Sequence, residues 1–186
     1  MNYNTVFKPW PYAVFKKFFT KEEIEMLKPL QESAQIRSGM HWITMQDGWR
    51  LNDMLQDKAW NVLYPAFVDL KKITKDIKAI RSDKKEDVFF RIGMMSLKPG
   101  TEHWIHLDDD WKQQTTVVYL SKEGLGTDLY TGSEQEDYYH SVDWKFNKGY
   151  TFVPSEHSWH SFKHPKHYKR NRVTVMFNMC NKRCYI

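Results

Sequence analysis

A histidine and a carboxylate separated by one residue are the first side chains in this sequence that suggest chemistry, at His106-Leu107-Asp108. Residues i and i+2 of an extended strand point to the same face, so the imidazole and the carboxylate could bind one ion. The chain has eight histidines, so such a pair also arises by chance, and Asp109 and Asp110 would suit a plain acidic turn. A metal site therefore needs a third ligand from another part of the chain.

The third ligand is expected in a second histidine-containing segment, residues 157–162. This segment follows a predicted strand that ends near Pro154, and enough chain separates it from Asp108 for several strands to cross a sandwich. Both His157 and His160 are available there. The residues alone leave these two histidines as alternatives.

Two histidines and one carboxylate occupy one face of an octahedron and leave the other positions open, the arrangement of non-haem Fe(II) oxygenases. A structural zinc site would instead close a tetrahedron, usually with cysteines. The two cysteines, Cys180 and Cys184, lie near the C-terminus, far in sequence from His106. Without a second pair they suit free thiols in a reducing compartment. The donor set therefore favours an open, catalytic metal site.

An arginine, Arg172, opens the apolar run 173–177 beyond His160. On a strand that lines a barrel, its planar guanidinium could bind a carboxylate through two hydrogen bonds, and Thr174 would share its face. The alternative is that Arg172 belongs to the solvated basic stretch 163–172, in which Arg170 is a second candidate anchor. The functional interpretation is favoured because the arginine and the metal candidates occur together and in order.

The N-terminal part of the chain is expected to supply helices that support these residues. The segment Thr20–Glu23 has the spacing of a capping box that starts a helix, after the apolar run Pro11–Phe19. Pro29 should end or kink that helix, which should therefore be short. A second helical segment is indicated at 60–70, from Trp60 through Leu63, Tyr64 and Phe67 to Leu70, where Pro65 should kink or divide it.

From Asp87 onward the sequence changes to short β-rich runs separated by glycine and proline. Helices followed by many closely spaced strands predict an α+β domain whose catalytic part is a β-sandwich or barrel. The predicted strands are Val88–Leu97, Thr115–Leu120, Ser141–Phe146, Tyr150–Val153 and Val173–Met179.

The composition suits a single globular domain over residues 1–186, with 41% hydrophobic and 16% aromatic residues. No apolar run approaches the roughly 18 residues that cross a bilayer, and no secretory signal is recognisable. We therefore expect a soluble, cytoplasmic protein without a membrane partner, in the host cytoplasm if a phage encodes it. The net charge of +5 favours anionic partners only weakly.

These residues together resemble the 2-oxoglutarate/Fe(II)-dependent dioxygenase superfamily, in particular its prolyl-hydroxylase-like and phage or bacterial branches. The likeness covers about residues 88–179, and the segment 11–19 with its capped helix is similar to the entry segment of that branch. The motifs that carry it are Pro99-Gly100, His106-Leu107-Asp108, Val118-Tyr119-Leu120, Gly126, Trp159-His160-Ser161-Phe162 and Arg172-Val173-Thr174.

The resemblance implies a double-stranded β-helix, the jelly-roll or cupin-like core, over about residues 86–180, with flanking N-terminal helices in about 1–85. It implies that His106, Asp108 and His160 bind Fe(II) and form the catalytic centre, and it favours His160 over His157. Dioxygen would take an open position on the metal.

The resemblance also implies a co-substrate site for 2-oxoglutarate. Arg172 would pair with its distal carboxylate and Tyr119 would form a hydrogen bond to it, with Thr174 a weaker candidate for the same pocket. Leu97 stands where many relatives carry a tyrosine, so the co-substrate contacts should differ there in detail.

The implied activity is hydroxylation of a C–H bond in a peptidyl, prolyl-like, or small-molecule substrate, with release of succinate and CO2. AlkB-like oxidative dealkylation of nucleic acid is the alternative within the same chemistry, less favoured because no nucleic-acid-binding motif is recognisable. Aromatic residues near the motifs could line a substrate mouth, although core packing is commoner. These are Trp104, Trp111, Trp144 and Trp159.

Two interpretations from other functional classes remain. One is a metal-binding β-sandwich that does not catalyse a reaction. The other is a basic nucleic-acid-binding module stabilised by zinc, which would use histidines among His157, His160, His164 and His167. The sequence leaves the oligomeric state open.

Overall fold

A computed structural model describes residues 2–45, 61–66, 68–70, 73 and 89–180 of the chain. The described residues include eleven strands, one long helix α1 (Lys21–Ile36), helical residues at 61–66, 68–70 and 73, and a short 3-10 turn at Gln135–Asp137. The strands are β1 (Tyr3–Val6), β2 (Tyr12–Phe15), β3 (Gly39–Met45), β4 (Phe89–Leu97), β5 (Glu102–His106), β6 (Lys112–Tyr119), β7 (Thr127–Tyr130), β8 (Tyr138–Val142), β9 (Gly149–Phe152), β10 (His160–Lys163) and β11 (Arg172–Cys180).

The strands form two antiparallel sheets. The larger sheet has seven strands in the order β1-β2-β9-β6-β11-β4-β3, and the smaller has four in the order β5-β10-β7-β8. One apolar cluster joins residues of both sheets, including Val117, Leu129 and Phe152, and so fills the space between them. A second cluster packs the other face of the larger sheet against helical residues. The described part of the chain is therefore mostly antiparallel β-structure with few helices.

The central strands of the larger sheet contribute to both clusters because successive side chains alternate between faces. On β6, Val117 and Tyr119 point between the sheets, whereas Val118 points toward the helices. The neighbouring strand β11 is buried on both faces at almost every position. This double burial explains the nearly continuous apolar run that identified β11 in the sequence.

Helix α1 begins where the capping box predicted. The Glu23 backbone N–H donates to Thr20 Oγ1 at 3.2 Å, and the Thr20 backbone N–H donates to Glu23 Oε2 at 2.7 Å. We expected Pro29 to end or kink this helix and the helix to be short; the short length is wrong, because α1 has 16 residues and continues past Pro29 to Ile36. Pro29 is exposed, while Leu27 and Ala34 on either side of it are buried and hold the helix on the core.

The second predicted helix is present in the residues that the structure describes. Residues 61–66, 68–70 and 73 are helical, and Pro65 lies within the first of these ranges without ending it. Its buried face consists of Val62, Leu63, Ala66, Leu70 and Ile73. Two members of the predicted segment, Trp60 and Phe67, lie outside the described residues. Among the described residues, no helix is long and apolar enough to cross a bilayer.

The predicted strands were located correctly except for Ser141–Phe146, which is wrong in its second half. Strand β8 ends at Val142, and residues 143–148 form the turn that leads into β9. This turn is set by Asn147, whose φ of 63° is left-handed. The three N-terminal strands and the short strands β5, β7 and β10 were not predicted. Strands β5, β7 and β10 have only four or five residues of mixed polarity, which give no clear pattern.

Candidate active site

Three predicted ligand residues come together at one end of the space between the sheets. Potential ligand atoms of His106, Asp108 and His160 all lie within 4.8 Å of one another. We call these three residues the triad. His106 ends β5 and His160 begins β10, and the two residues are direct partners across this antiparallel pair, with ring centroids 4.3 Å apart. The strand register therefore aligns the two imidazoles.

Asp108 is held by contacts with β6 and not by the strand period that the sequence suggested. Strand β5 ends at His106, so the expectation that one strand orients both residues is wrong. Thr115 Oγ1 donates a 2.6 Å hydrogen bond to Asp108 Oδ2, and Lys112 Nζ forms an ion pair with Asp108 Oδ1. Both carboxylate oxygens are thus fixed by residues that sequence reasoning missed.

A β-bulge in β6 brings Lys112 to the triad. The pairing of β6 with β11 shifts by one residue between Gln114 and Lys112, which leaves Gln113 as the extra residue. Without the bulge, strand alternation would put Lys112 and Thr115 on opposite faces, yet both contact Asp108. Thr115 lies four residues before Tyr119, so strand alternation places both side chains on one face and could have identified Thr115 from the sequence. The bulge, by contrast, left no signal in the sequence.

Backbone carbonyls fix the tautomers of both histidines. His106 Nδ1 lies 2.8 Å from the Trp104 carbonyl oxygen, and His160 Nδ1 lies 2.9 Å from the Ser158 carbonyl oxygen. A carbonyl only accepts, so each Nδ1 carries the hydrogen and each Nε2 keeps its lone pair. Ser158 is itself held by a turn, because its hydroxyl donates to the Ser155 carbonyl oxygen at 2.9 Å. Both rings are therefore oriented for metal binding.

Burial and neighbouring charges set the protonation of the triad. Burial and, to a smaller extent, the nearby His160 lower the pKa of His106 to about 4, and burial also lowers the pKa of His160. Burial alone would raise the pKa of Asp108, but the Lys112 charge and hydrogen bond outweigh it, so this pKa lies below its usual value. Two neutral imidazoles and one carboxylate result, a donor set that fits a divalent transition metal.

The other histidines near the triad lie elsewhere. His157 is exposed, with its Nε2 3.4 Å from Glu156 Oε1. His164 is buried, but its Nε2 contacts the Arg170 carbonyl oxygen at 2.7 Å and its ring stacks on Tyr168. Among the described residues, the triad is the one group of three or more possible metal ligands, and it includes only His160 of the four histidines considered for zinc.

Arg172 is buried between the sheets, and no counterion for it is found among the described residues. It is 1% exposed, and its guanidinium carbon lies 4.4 Å from the Phe162 ring centroid and 5.0 Å from that of Trp144. Its Nε lies 3.5 Å from the Leu125 carbonyl oxygen, and Nη1 has no hydrogen-bond partner in the part of the chain that the structure describes. No carboxylate forms an ion pair with it within the described ranges. Burial accordingly lowers the pKa of Arg172.

Thr174 lies two residues along β11 from Arg172, and its side chain also has a buried polar atom that requires a hydrogen bond. Its Oγ1 is buried and also lacks a hydrogen-bond partner within the described ranges. We call Arg172 and Thr174 together the anion pocket. Unpaired buried donors are rare in folded proteins, and a bound carboxylate would satisfy both of them. The pocket therefore fits a small anionic ligand.

Two buried tyrosines lie beside the anion pocket, and the hydroxyl of Tyr119 is already hydrogen-bonded. Tyr119 OH lies 3.1 Å from Thr127 Oγ1 and donates to the Val142 carbonyl oxygen at 3.3 Å. Burial raises the pKa of Tyr119 to about 12, partly offset by Arg172. Tyr150, which sequence reasoning missed, is 1% exposed, and burial raises its pKa strongly.

The basic stretch 163–172 separates into an exposed part and a buried end. Lys163, Lys166, Lys169 and Arg170 are exposed, whereas Arg172 is buried. The stretch is held on the core because the His164 backbone N–H donates to the Thr101 carbonyl oxygen at 2.7 Å. Leu97 is the cross-strand partner of Arg172 and brings an aliphatic side chain to this position.

A groove of about 890 Å³ runs along the outer side of the smaller sheet. We call it the outer groove. His103 and Trp104 line it, and the His103 ring centroid is 4.0 Å from that of His106. Trp104 is 81% exposed, whereas Trp144 stacks on Tyr119. The groove carries four carboxylates, Glu102, Asp128, Glu134 and Asp143, against the single lysine Lys163.

The fold is similar to those of solved 2-oxoglutarate/Fe(II) oxygenases. An oxidoreductase of the 2OG-Fe(II) oxygenase family from Burkholderia pseudomallei aligns over 92% of this chain and 85% of its own, with TM-score 0.61 and 12% identity. A Trichoplax adhaerens prolyl hydroxylase in complex with a hypoxia inducible factor peptide fragment aligns over 91% and 83%, with TM-score 0.59 and 13% identity. OsALKBH1 aligns over 90% and 97%, with TM-score 0.53 and 12% identity.

The expected resemblance to prolyl-hydroxylase-like oxygenases is confirmed at the level of fold. No protein-family model matches the sequence, and no curated protein sequence matches it. At identities of 12 to 13%, structural likeness establishes a shared fold and leaves the activity to be argued from the residues of the site.

Proposed function

We propose that this protein is a non-haem Fe(II) and 2-oxoglutarate-dependent dioxygenase that hydroxylates a C–H bond and releases succinate and CO2. The observation that carries this proposal is the anion pocket. Arg172 and Thr174 have buried, unpaired donors in the same inter-sheet space as the triad. A triad alone would suit several ions and several reactions, whereas a triad beside a buried, unpaired arginine suits a metal-bound carboxylic acid with a second carboxylate.

The proposed roles follow from the contacts of each residue. His106 and His160 would bind iron through Nε2 and Asp108 through a carboxylate oxygen, each oriented by the hydrogen bonds described above. Fe(II), when bound there, supplies the chemistry that couples oxidation of 2-oxoglutarate to oxidation of the substrate. The protein contributes the position of the reactants and the exclusion of water.

The spacing between the triad and the anion pocket is consistent with a small dicarboxylate. Thr115 contacts the triad and Tyr119 packs beside Arg172, and both residues lie on the same face of β6. Four residues of strand span about 13 Å. The long arginine side chain and a five-carbon dicarboxylate can together bridge such a distance, with Tyr119 and Tyr150 forming the pocket wall.

We further propose that the two sheets form the jelly-roll core of this enzyme class, as a double-stranded β-helix. Its eight strands would be β4, β6, β9 and β11 of the larger sheet and all four strands of the smaller sheet. The strands β1, β2 and β3 would then extend the larger sheet at its two edges, and α1 would support it as part of one domain.

The favoured substrate is a peptidyl, prolyl-like group or a small molecule. The outer groove lies beside the triad and carries carboxylates and aromatic rings. Carboxylates repel the phosphate backbone of nucleic acids, so this groove disfavours AlkB-like dealkylation of nucleic acid. Exposed aromatic rings such as Trp104 can pack on a peptide or a proline ring.

The proposal is tested by anaerobic reconstitution with Fe(II), followed by addition of 2-oxoglutarate and then air. We expect a metal-to-co-substrate charge-transfer absorption before oxygen is added and succinate release afterwards. His106→Ala should lose both signals. A proline-containing peptide and a methylated oligonucleotide are added in parallel. The peptide should stimulate succinate release more than the oligonucleotide does. Absence of both signals from the unmodified protein would refute the oxygenase assignment.

A further inference from the structure

Asp108 already has a cation bound to it, supplied by the protein itself. Lys112 Nζ forms an ion pair with Asp108 Oδ1, and the two side chains are only 13% and 6% exposed. The other oxygen, Oδ2, accepts the Thr115 hydroxyl. This arrangement neutralises a buried carboxylate that would otherwise be costly to ionise.

A metal ion and the Lys112 ammonium group compete for the same carboxylate. A metal must bind Asp108 through its carboxylate oxygens. Both oxygens already have a partner, because Lys112 contacts one and Thr115 the other. The neutral Thr115 hydroxyl can remain, because a carboxylate accepts several hydrogen bonds. Two cations close together in a poorly solvated site repel each other strongly, so the ammonium group is the one that must move.

The displaced ammonium group has a second place within reach. Lys112 Nζ lies 5.6 Å from the centroid of the Trp111 ring, and the face of an indole attracts cations. A lysine side chain has four rotatable bonds, so a small rotation could move its charge from Asp108 toward this ring. The bulge at Gln113 places Lys112 at the first residue of β6, on the same side as Asp108.

We propose that Lys112 is an internal counter-cation that binds Asp108 when no metal does and is displaced when the metal enters. The inference rests on the proposed function, since it concerns the same metal site. Lys112 keeps Asp108 charged and in place for the metal, and it weakens metal affinity because the metal must first displace it. Lys112 is therefore a positioning residue that sets how tightly the site holds its metal.

The test is titration of the metal-stripped full chain with Mn²⁺, measured by calorimetry and by thermal unfolding. Lys112→Met removes the charge and keeps the length of the side chain. It should bind Mn²⁺ about tenfold more tightly than the unmodified protein, because no ammonium group competes. The metal-stripped variant should unfold at a lower temperature, because Asp108 loses its partner, and Mn²⁺ should raise that temperature more than in the unmodified protein.

Matched variants separate this effect from general changes of charge or folding. Lys112→Arg keeps the cation and should bind Mn²⁺ within about threefold of the unmodified protein. Lys145→Met removes an exposed lysine in the turn before β9, distant from the triad in sequence, and should leave the affinity unchanged. Lys112→Gln keeps a hydrogen-bond donor for Asp108 and serves if Lys112→Met does not fold, and it should also bind Mn²⁺ more tightly.

The outcomes distinguish this inference from the proposed function. Equal or weaker Mn²⁺ binding by Lys112→Met and Lys112→Gln, with binding retained by the unmodified protein, would overturn the counter-cation role alone. A Mn²⁺-bound structure with Lys112 Nζ still on Asp108 would do the same. Absence of Mn²⁺ binding by every form, including the unmodified protein, would overturn the metal site and this inference together.

Discussion

The triad and the anion pocket lie in the same inter-sheet space and differ in how their polar groups are satisfied. Each triad residue has a partner within the protein, through the carbonyls of Trp104 and Ser158 or through Lys112 and Thr115. In the anion pocket, Arg172 and Thr174 have buried donors that find no partner among the residues the structure describes. The triad is thus organised before any ligand binds, whereas the anion pocket has a desolvation cost that only a ligand relieves.

This difference has a consequence for mutation. Removing a partner at the triad should weaken both the fold and ligand binding, because an existing interaction is lost. Removing a donor from the anion pocket should weaken ligand binding while leaving the ligand-free fold as stable or more so. The two regions can therefore be told apart by measuring stability and binding on the same variants.

The largest effect is expected from His160→Ala compared with His157→Ala. Loss of a metal ligand should lower Fe(II)-dependent succinate formation by at least about a hundredfold. His157 is exposed and paired with Glu156, so its substitution should leave the rate unchanged. Succinate quantification under matched iron and 2-oxoglutarate measures both. Equal losses in the two variants would mean that His160 is not a specific ligand.

The next effect concerns Arg172→Met, which should change binding and stability in opposite directions. Its charged hydrogen bonds to a carboxylate contribute about 1.5–3 kcal/mol, so the 2-oxoglutarate concentration needed should rise by about 10- to 100-fold. The ligand-free protein should unfold at a higher temperature, because an unpaired buried charge has been replaced by an apolar side chain. Arg170→Met, at an exposed position, is the control and should change neither quantity.

Arg172→Met could instead lower the unfolding temperature. The packing of the Arg172 guanidinium against Phe162 and Trp144 would then outweigh the cost of its buried charge. The anion pocket would then be a structural feature of the core. An unchanged 2-oxoglutarate requirement would move the carboxylate anchor to another residue.

A smaller effect is expected from the same isosteric change at both sites, Thr115→Val and Thr174→Val. Thr115 donates to Asp108, so its loss should lower the free energy of unfolding by about 1–3 kcal/mol and weaken Mn²⁺ binding. Thr174 has no partner, so its loss should leave stability unchanged or slightly higher while weakening 2-oxoglutarate binding. Chemical denaturation and ligand titration of both variants measure this contrast. Identical behaviour of the two variants would contradict the difference between the triad and the anion pocket.

The smallest effect is a pH dependence of stability that originates at the triad. The pKa of His106 is about 4 in the folded protein. A histidine in the unfolded chain has a pKa of about 6.5. At a pH between the folded and unfolded pKa values, the unfolded state therefore binds more protons than the folded state. Stability should fall as the pH decreases from about 6.5 toward 4. Denaturation of the metal-stripped protein at pH 7 and pH 5 checks this, and His106→Gln should reduce the difference.

Local features of the fold were predictable wherever neighbours in the sequence determine them. The capping box at Thr20–Glu23 was recognised because its hydrogen bonds join residues three apart. Strand β11 was recognised because burial on both faces leaves a long apolar run. The length of α1 was not predictable, since Pro29 is tolerated only because the residues around it pack on a core formed by distant strands.

The sequence by itself determined the chemistry that is available. It supplies imidazoles and a carboxylate for a metal, and an arginine with a threonine two residues later for an anion. Only the tertiary structure decided which of these side chains meet. The register between β5 and β10 aligned His106 with His160, and a bulge brought Lys112 to Asp108. Burial separated Arg172 from its exposed basic neighbours. Register and burial depend on contacts between residues far apart in the chain, and local patterns do not contain that information.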